Sequence, residues 1–550
     1  MSKLTFVTAF IDISSTQQSF HWRFEKFKEV AATGIHICIY ISAIFEKVIE
    51  DMTREYENIK IMKVLEMEDL WCYKTAKTIE YKLPENRNPA KDTANYMLLM
   101  NSKAELLYDA IQTNPFESTH FAWLDFNIAY IFKNPRTVDF LKQLAVLPFS
   151  EKTLIIPGCW GAVKREKRQE ILKGICWRFC GGFLLGDKDS ISELFTIYLD
   201  CFENFLKKNK RLVWEVNFWA WIESKGFWRP TWYKGDHNDS ILDIPACSCY
   251  NSLLKMEGAR TLEYEYPKID GFEASSACYL YHLGNHVLNT RYVNYKILES
   301  GFYSFEDASS SRIVTKNMAS VLNSDMVPMY YIEMKENTAR LQSYSDDIVG
   351  LEDIRLYNYG NIIRFIGTSV NYAENKINQM VVGNYDPFTQ SYENCMVVLS
   401  NNAEKNWIPV VVDGKEYFIY KWSPMEIGVI NPATNRLEIV KTIDMAGVKW
   451  FDKIRGSTVF TEVGEFLIGV VHFSEDEFPR KYYHILVALE RNTLQPLRYS
   501  NHFVFRNIGI EFCIGFTILN GNYLFWTSKN DREPLTLIVP IQKIPFVYDF

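Results

Sequence analysis

Phe121-Ala122-Trp123-Leu124-Asp125-Phe126-Asn127-Ile128 is the stretch on which the reading of the first half turns. Its apolar, partly aromatic opening reads as a buried strand, and Asp125 stands where that strand gives way to a loop. In extended chain Asn127, two residues on, points the same way as Asp125. Further strand patterns lie on both sides: Leu4 to Ile11, the β-branched run Ile35 to Ile41, and Thr153 to Pro157. Helical patterns fall between them. Phe20 to Ala31 is one, and Lys91 to Ile111 carries Met97, Leu98, Leu106, Leu107 and Ile111 at helical spacing. This alternation predicts an α/β sheet with helices on its faces over residues 1–245.

The texture changes after about residue 275. Short apolar-aromatic strands recur between turn residues: Ile362 to Thr368, Met396 to Leu399, Tyr417 to Trp422, Glu465 to Phe473, Tyr483 to Leu489 and Tyr523 to Thr527. Many short strands at close spacing mean a sandwich, barrel or propeller. Residues 276–550 have room for five propeller blades of about 50 residues each. The chain is therefore expected to be multidomain, with an α/β unit, a connecting segment at 246–275 and an all-β five-bladed propeller.

Composition narrows the function. Net charge over the 550 residues is −7, and the basic clusters at 164–168 and 207–211 are short, so nucleic acid is not an expected partner. No stretch approaches the roughly 18 uncharged apolar residues of a membrane span, and the start shows no signal-peptide cleavage region. The 11 cysteines are scattered: Cys176 and Cys180 are four apart, Cys247 and Cys249 two apart, with no matching second pair at zinc spacing. Free thiols in a reducing, cytoplasmic compartment are expected. Bacterial and large-DNA-virus origins suit the composition equally. Aromatics reach 15%, which fits β-rich packing and also offers faces for sugar rings.

A sugar nucleotide carries a diphosphate that must leave on transfer, and a divalent cation held by carboxylates commonly neutralises it. Asp125 at a strand end is placed for that task. Arg178-Phe179-Cys180-Gly181-Gly182-Phe183 puts Gly181 and Gly182 where backbone can approach a ligand closely. Trp214-Glu215-Val216-Asn217-Phe218-Trp219 sets Glu215 among aromatics, a candidate general base. Tyr233-Lys234-Gly235-Asp236-His237-Asn238-Asp239-Ser240 concentrates metal-capable groups in one loop. Taken in order, LTFVTAFIDI, WLDFNI, FCGGFLLGDK, WEVNFWAW and WYKGDHNDSIL resemble the HtrL/YibB family over about residues 4–243. The resemblance implies a GT-A glycosyltransferase, a Rossmann-like fold that takes a UDP- or GDP-linked sugar with Mn2+ or Mg2+. It makes Asp125, Asn127 and His237 the metal ligands and Glu215 the base. Asn127 stands where the family's metal motif has a second carboxylate.

In the second half five polar clusters stand out: Asn289 to Tyr295 (with Arg291 and Asn294), Gly350 to Leu356, Ala403 to Pro409, Lys453 to Thr458, and Gly469 to Phe473. A propeller gathers loops from all its blades around one depression, so such distant segments can line one pocket. Glu352 or Asp353 beside Arg355 can bind sugar hydroxyls or protonate a leaving oxygen. Arg291, Arg355, Lys405, Arg455 and His472 supply cationic donors for phosphate or a sugar phosphate, and Trp407 and Trp422 offer stacking faces. Glu352-Asp353-Ile354-Arg355, Lys405-Asn406-Trp407-Ile408-Pro409, Arg455-Gly456-Ser457 and Val471-His472 resemble, in that order, elements of glycoside hydrolase family 130, the β-mannoside phosphorylases. The resemblance runs over roughly residues 278–500. It implies Asp353 as general acid and Arg355, Lys405 and His472 as phosphate holders; Asn294, Tyr295 and Asn406, from the same clusters, are further substrate-binding candidates. Ile354 replaces the family's proline. The expected function is bifunctional: glycosyl transfer to a glycan acceptor by the first unit, and mannoside phosphorolysis or mannosyl transfer by the propeller. The alternative is a transferase with a glycan-binding propeller.

Overall fold

The computed structural model describes residues 3–13, 19–305, 311–335, 341–475 and 478–550. The chain divides into two units, Met1–Cys249 and Tyr250–Phe550.

The first unit is built on strands β1 (Leu4–Phe10), β2 (Ile37–Ile41), β3 (Ile59–Val64), β4 (His120–Leu124), β5 (Leu154–Gly158), β6 (Phe183–Asp187) and β7 (Thr231–Lys234). They form one sheet in the order β3-β2-β1-β4-β6-β5-β7. β3, β2, β1 and β4 pair in parallel, as do β5 and β7, whereas β6 runs antiparallel to both its neighbours. The order runs backward from β3 to β1 and then jumps to β4. A sheet of this kind binds ligands beyond the carboxyl ends of the strands at such a reversal. Alternate residues of β1 serve opposite faces. Val7 enters the main core with Leu106, Leu107, Tyr198 and Phe218, while Phe6 and Thr8 meet Phe27 and Val30 of the helix Phe20–Ala31.

Two expected elements are shorter than their patterns. The run Lys91 to Ile111 is two helices, Ala94–Asn101 and Lys103–Thr113. At the join the Asn101 amide donates to the carbonyls of Met97 and Val213, and Ser102 Oγ donates to that of Leu98. Side chains that bond backbone in this way compete with helix continuation. The run Phe121 to Ile128 leaves the sheet after Leu124, and Asp125 starts a turn into the 3-10 helix Ile128–Ile131.

The second unit is an all-β propeller. Four of its sheets follow a four-strand path, and Ile348–Val349 adds a fifth strand to the first of them beside Ile313–Leu322. The first is Glu273–His282, Asn285–Val293, Ile313–Leu322 and Ile332–Glu333. The second is Glu352–Tyr359, Ile362–Ser369, Gln379–Asp386 and Ser391–Val398. The third is Ile408–Val412, Lys415–Trp422, Met425–Asn431 and Arg436–Ile443. The fourth is Glu511–Leu519, Asn522–Lys529, Arg532–Pro540 and Arg260–Leu262. The remaining large sheet is branched and eight-stranded, centred on Phe466–Glu475 and Lys481–Glu490. The expectation of a five-bladed propeller is therefore corrected to four blades, the further eight-stranded sheet being branched, among the described residues. The branching has a cause: this sheet also takes in Phe546–Asp549 and Asn251–Ser252, from the two ends of the unit. The segment 246–275, expected as a connection, is drawn into sheets too, since Arg260–Leu262 pairs with Arg532–Pro540 and completes the last blade. Among the described residues no helix is long and apolar enough to cross a membrane.

Candidate functional site

In the first unit the candidate residues meet at a lysine. Asp125 follows the carboxyl end of β4, beside β1, at the reversal of strand order. Lys103 Nζ lies 3.0 Å from Asp125 Oδ1 and 2.9 Å from Glu215 Oε1, and donates to the Gly181 carbonyl at 2.7 Å. The lysine side chain is 1% exposed, so burial alone would push its ammonium down. The two carboxylates outweigh that and hold it above the ordinary lysine value. Gly181 is sterically tight, because a Cβ there would stand 2.1 Å from Glu215 Oε1 and force that side chain to shift. A Cβ on Gly182 would press on Ile128 and Ile241 and come within 3.6 Å of Asp125 Oδ2.

This geometry bears on two expected roles. Glu215 is buried with Oε1 2.9 Å from the ammonium, so that oxygen is engaged by Lys103 instead of standing open to a substrate. The ligand atom of His237 falls in a group with those of Cys159, Cys180 and Asp236, all within 4.8 Å of one another. Asp125 Oδ1 is taken by Lys103 and by Trp123 Nε1 at 2.7 Å, which leaves Oδ2 and the half-buried Asn127. Such a set suits an ion that arrives with a substrate's phosphates better than a resident one. Lys103 went unread because a lysine near a helix start suggests solvent. Its signal was periodicity, for it shares the buried face with Leu106, Leu107 and Ala110.

The propeller gathers its candidates from several sheets. Arg291 Nη1 donates to Asp353 Oδ1 at 2.8 Å, and Nη2 donates to Tyr295 Oη at 2.9 Å and lies 3.8 Å from Glu352 Oε1. Tyr295 Oη donates to Asp531 Oδ2 at 2.8 Å. Lys405 Nζ, partly exposed, lies 3.5 Å from Glu352 Oε2. Asp353, Asn406 and Asp531 have positive φ of 50°, 65° and 57°. The ladder shifts register between Glu352 and Arg355, a bulge that re-aims the side chains there. Left-handed backbone at three non-glycine residues of one cluster marks a geometry held by its surroundings.

The two aspartates are driven apart. Burial would raise Asp353, but Arg291, Arg355 and Lys405 hold it below the ordinary carboxylate value. Burial raises Asp531, and Arg291 does not offset it. Asp531 escaped the sequence reading because Asn530-Asp531 looks like any hairpin turn.

Several expected phosphate holders are occupied otherwise. Arg355, fully buried, donates to the carbonyls of Ser457 at 2.7 Å and Asp353 at 3.0 Å and to Asn406 Oδ1 at 3.1 Å. His472 is buried with Nδ1 2.7 Å from Ser457 Oγ, and burial, then His484, Arg455 and Arg355, push it well below the usual histidine range, so it is neutral. Asn294 bridges the Arg312 carbonyl and the Val314 N–H, a strand clamp. Trp407 and Trp422 are buried in the core and offer no open face, whereas Tyr303, exposed, lies 5.1 Å ring to ring from Tyr295. Arg455 is exposed. The cations expected to need an anion are therefore largely met by protein acceptors. A cleft of about 1000 Å³ in this unit is lined by Asn530 and Arg532, the neighbours of Asp531, but not by Arg291, Glu352 or Lys405.

Residues 26–212 match a family described as a bacterial protein of unknown function, HtrL_YibB. No curated protein sequence matches. Among solved structures, β-1,2-mannobiose phosphorylase from Listeria innocua, in complex with β-1,2-mannobiose, is similar at 11% identity and a TM-score of 0.36, over 52% of this chain and 98% of that one. MPT-4, a mannose phosphorylase from Leishmania mexicana in complex with phosphate, is similar at 11% identity and a TM-score of 0.34, over 53% and 92%. A glycosyl hydrolase from Bacteroides ovatus is similar at 6% identity and a TM-score of 0.34, over 50% and 86%.

Proposed function

We propose that the propeller acts on a mannoside-type glycosidic bond by phosphorolysis or by the reverse mannosyl transfer. The observation that carries this reading is the opposed pair of carboxyls, Asp353 held ionised and Asp531 pushed toward its protonated form, joined through Arg291 and Tyr295. Two carboxyls whose environments separate their protonation are what glycosidic chemistry requires. The family 130-like order of Glu352-Asp353-Ile354-Arg355 and Lys405-Asn406 supports the mannoside class. In this reading Asp531, not Asp353, donates the proton to the leaving oxygen as the anomeric C–O bond breaks. Asp353 and Glu352 face the positive charge that develops on the sugar. A phosphate oxygen forms the new bond, drawn in by the exposed Lys405 and Arg455. The test is to incubate the full chain with β-linked mannosides, with and without inorganic phosphate, and to assay mannose 1-phosphate. Phosphate-dependent release supports the reading. Binding of mannosides with no turnover in either direction replaces it with a glycan-binding propeller.

A second activity is favoured by one feature of the first unit. Asp125 stands at the reversal of strand order beyond the carboxyl ends of β1 and β4, with Gly181 and Gly182 alongside. The reading is glycosyl transfer from a UDP- or GDP-linked sugar. Asp125 and Asn127 would hold Mn2+ or Mg2+ arriving with the donor, and that ion would neutralise the leaving diphosphate. Lys103 keeps the Asp125 carboxylate oriented through Oδ1. Calorimetry with a panel of nucleotide sugars, in manganese and in EDTA, tests it. Equal heats from the wild type and Asp125→Ala would remove this activity from the account.

A further inference from the structure

We propose that Cys159, Cys180, Asp236 and His237 form a tetrahedral zinc site in the first unit. The four residues come from three segments that meet at one edge of the sheet. Cys159 follows the carboxyl end of β5, Asp236 and His237 follow that of β7, and Cys180 precedes β6, which runs the opposite way. Backbone bonds knit the segments together: Cys159 N–H to the Trp177 carbonyl at 3.0 Å, Cys180 N–H to that of Pro157 at 2.8 Å, and Gly235 N–H to that of Gly158 at 3.0 Å. The donors are thus placed by β-ladder geometry rather than by a short sequence motif.

Three of the six edges of the donor set match a tetrahedron around zinc, and all six are within 4.8 Å. Two thiolates about 2.3 Å from a tetrahedral ion stand about 3.8 Å apart, and Cys159 Sγ and Cys180 Sγ are 3.7 Å apart. A thiolate and a carboxylate oxygen on such an ion stand about 3.5–3.7 Å apart, and Cys159 Sγ to Asp236 Oδ1 is 3.4 Å. An imidazole nitrogen and a carboxylate oxygen stand about 3.3–3.5 Å apart, and His237 Nδ1 to Asp236 Oδ1 is 3.4 Å. These contacts are long for hydrogen bonds, and 3.7 Å is far too long for a disulfide. Two sulfurs, one nitrogen and one oxygen suit zinc over magnesium or calcium, which prefer all-oxygen sets.

Outer contacts orient the ligands, as metal sites require. The His237 N–H donates to Asp236 Oδ1 at 2.7 Å, the Asp236 N–H donates to Ser240 Oγ at 3.0 Å, and the Trp177 ring meets the imidazole edge-on at 4.5 Å. Four protein donors close the coordination shell, the pattern of a structural ion. The ion would tie the three segments together and so fix Gly181 and Gly182, the residues next after Cys180, against Glu215 and Asp125.

The experiment uses the full chain, reduced, stripped with a chelator and titrated with Co2+ as a spectroscopic stand-in for zinc. Expected are one equivalent bound, a thiolate-to-cobalt charge-transfer band and the intense visible bands of a tetrahedral ion, all displaced by Zn2+. Cys159→Ser should lose the charge-transfer intensity, and His237→Ala should weaken binding by more than the roughly 10- to 100-fold cost of disturbing an outer partner. Zinc should also protect two thiols per wild-type chain from a thiol reagent, a readout that needs no variant to fold. Absence of the charge-transfer band in the wild type, an unchanged band in Cys159→Ser, or a Cys159–Cys180 disulfide that persists under reductant would each overturn the proposal.

Discussion

The two units solve the burial of charge in opposite ways. In the first, one fully buried ammonium serves two carboxylates and a carbonyl, and the ladder around it is regular. In the second, Arg291, Glu352, Asp353, Lys405, Tyr295 and Asp531 share charge across several sheets, three site residues sit in left-handed backbone, and the two aspartates are driven in opposite directions. A hub in which one ammonium engages an oxygen of each carboxylate fixes geometry. A network that drives its two carboxyls in opposite directions keeps their charge states unequal. Buried charge of the first kind can hold a site's geometry, and buried charge of the second kind can also separate the protonation of its members.

The largest expected effect tests the hub. Lys103→Met leaves Asp125 and Glu215 facing each other without their cation, and breaking such a buried pair costs about 3–5 kcal/mol. Urea unfolding followed by tryptophan fluorescence should show the first unit lost well before the second. A midpoint unchanged from wild type would mean the lysine is dispensable and the contrast between the units is false.

The next effect sharpens the network. Asp531→Asn should lower mannoside phosphorolysis by roughly 10²–10⁴-fold while mannoside binding persists, since the amide bonds but cannot donate the catalytic proton. Equal losses in Asp531→Asn and Asp353→Asn would remove the asymmetry claimed for the pair. Gly181→Ala is expected to cost about 1–3 kcal/mol through the clash with Glu215, read in the same unfolding experiment.

The smallest effects are in pH dependence. Asp531 has a folded pKa above its unfolded value of 3.8, so the folded state holds the extra proton and stability falls as pH rises from 3.8 through the raised value. Asp353 has the opposite sign, and its contribution is lost as pH drops below 3.8 through its folded value. His484, faced across the ladder by His472, is pushed by burial to about 3. The unfolded chain binds that proton first, so stability is lost as pH falls from 6.5 toward 3. Unfolding midpoints of wild type and His484→Gln from pH 7 to pH 4 should converge if this is correct.

Parts of this protein were legible in its residues. The strand at Leu4, the helix Phe20 to Ala31 and the strands at Ile362, Tyr417 and Tyr483 follow from apolar period alone, because period is set by backbone geometry that every residue shares. That the second half is all-β, and that Arg291, Glu352, Asp353 and Lys405 belong together, also followed from spacing. Tertiary structure decided the rest. The sequence carries no trace that Arg260–Leu262 completes a blade with Arg532–Pro540, because a three-residue strand has no period. Nor does it tell that Arg355 and His472 are spent inside the fold while Asp531 is the carboxyl that burial pushes up. Residue type limits what a side chain can do, but its charge state depends on how deeply it is buried and on what faces it, and chains far apart in sequence supply both.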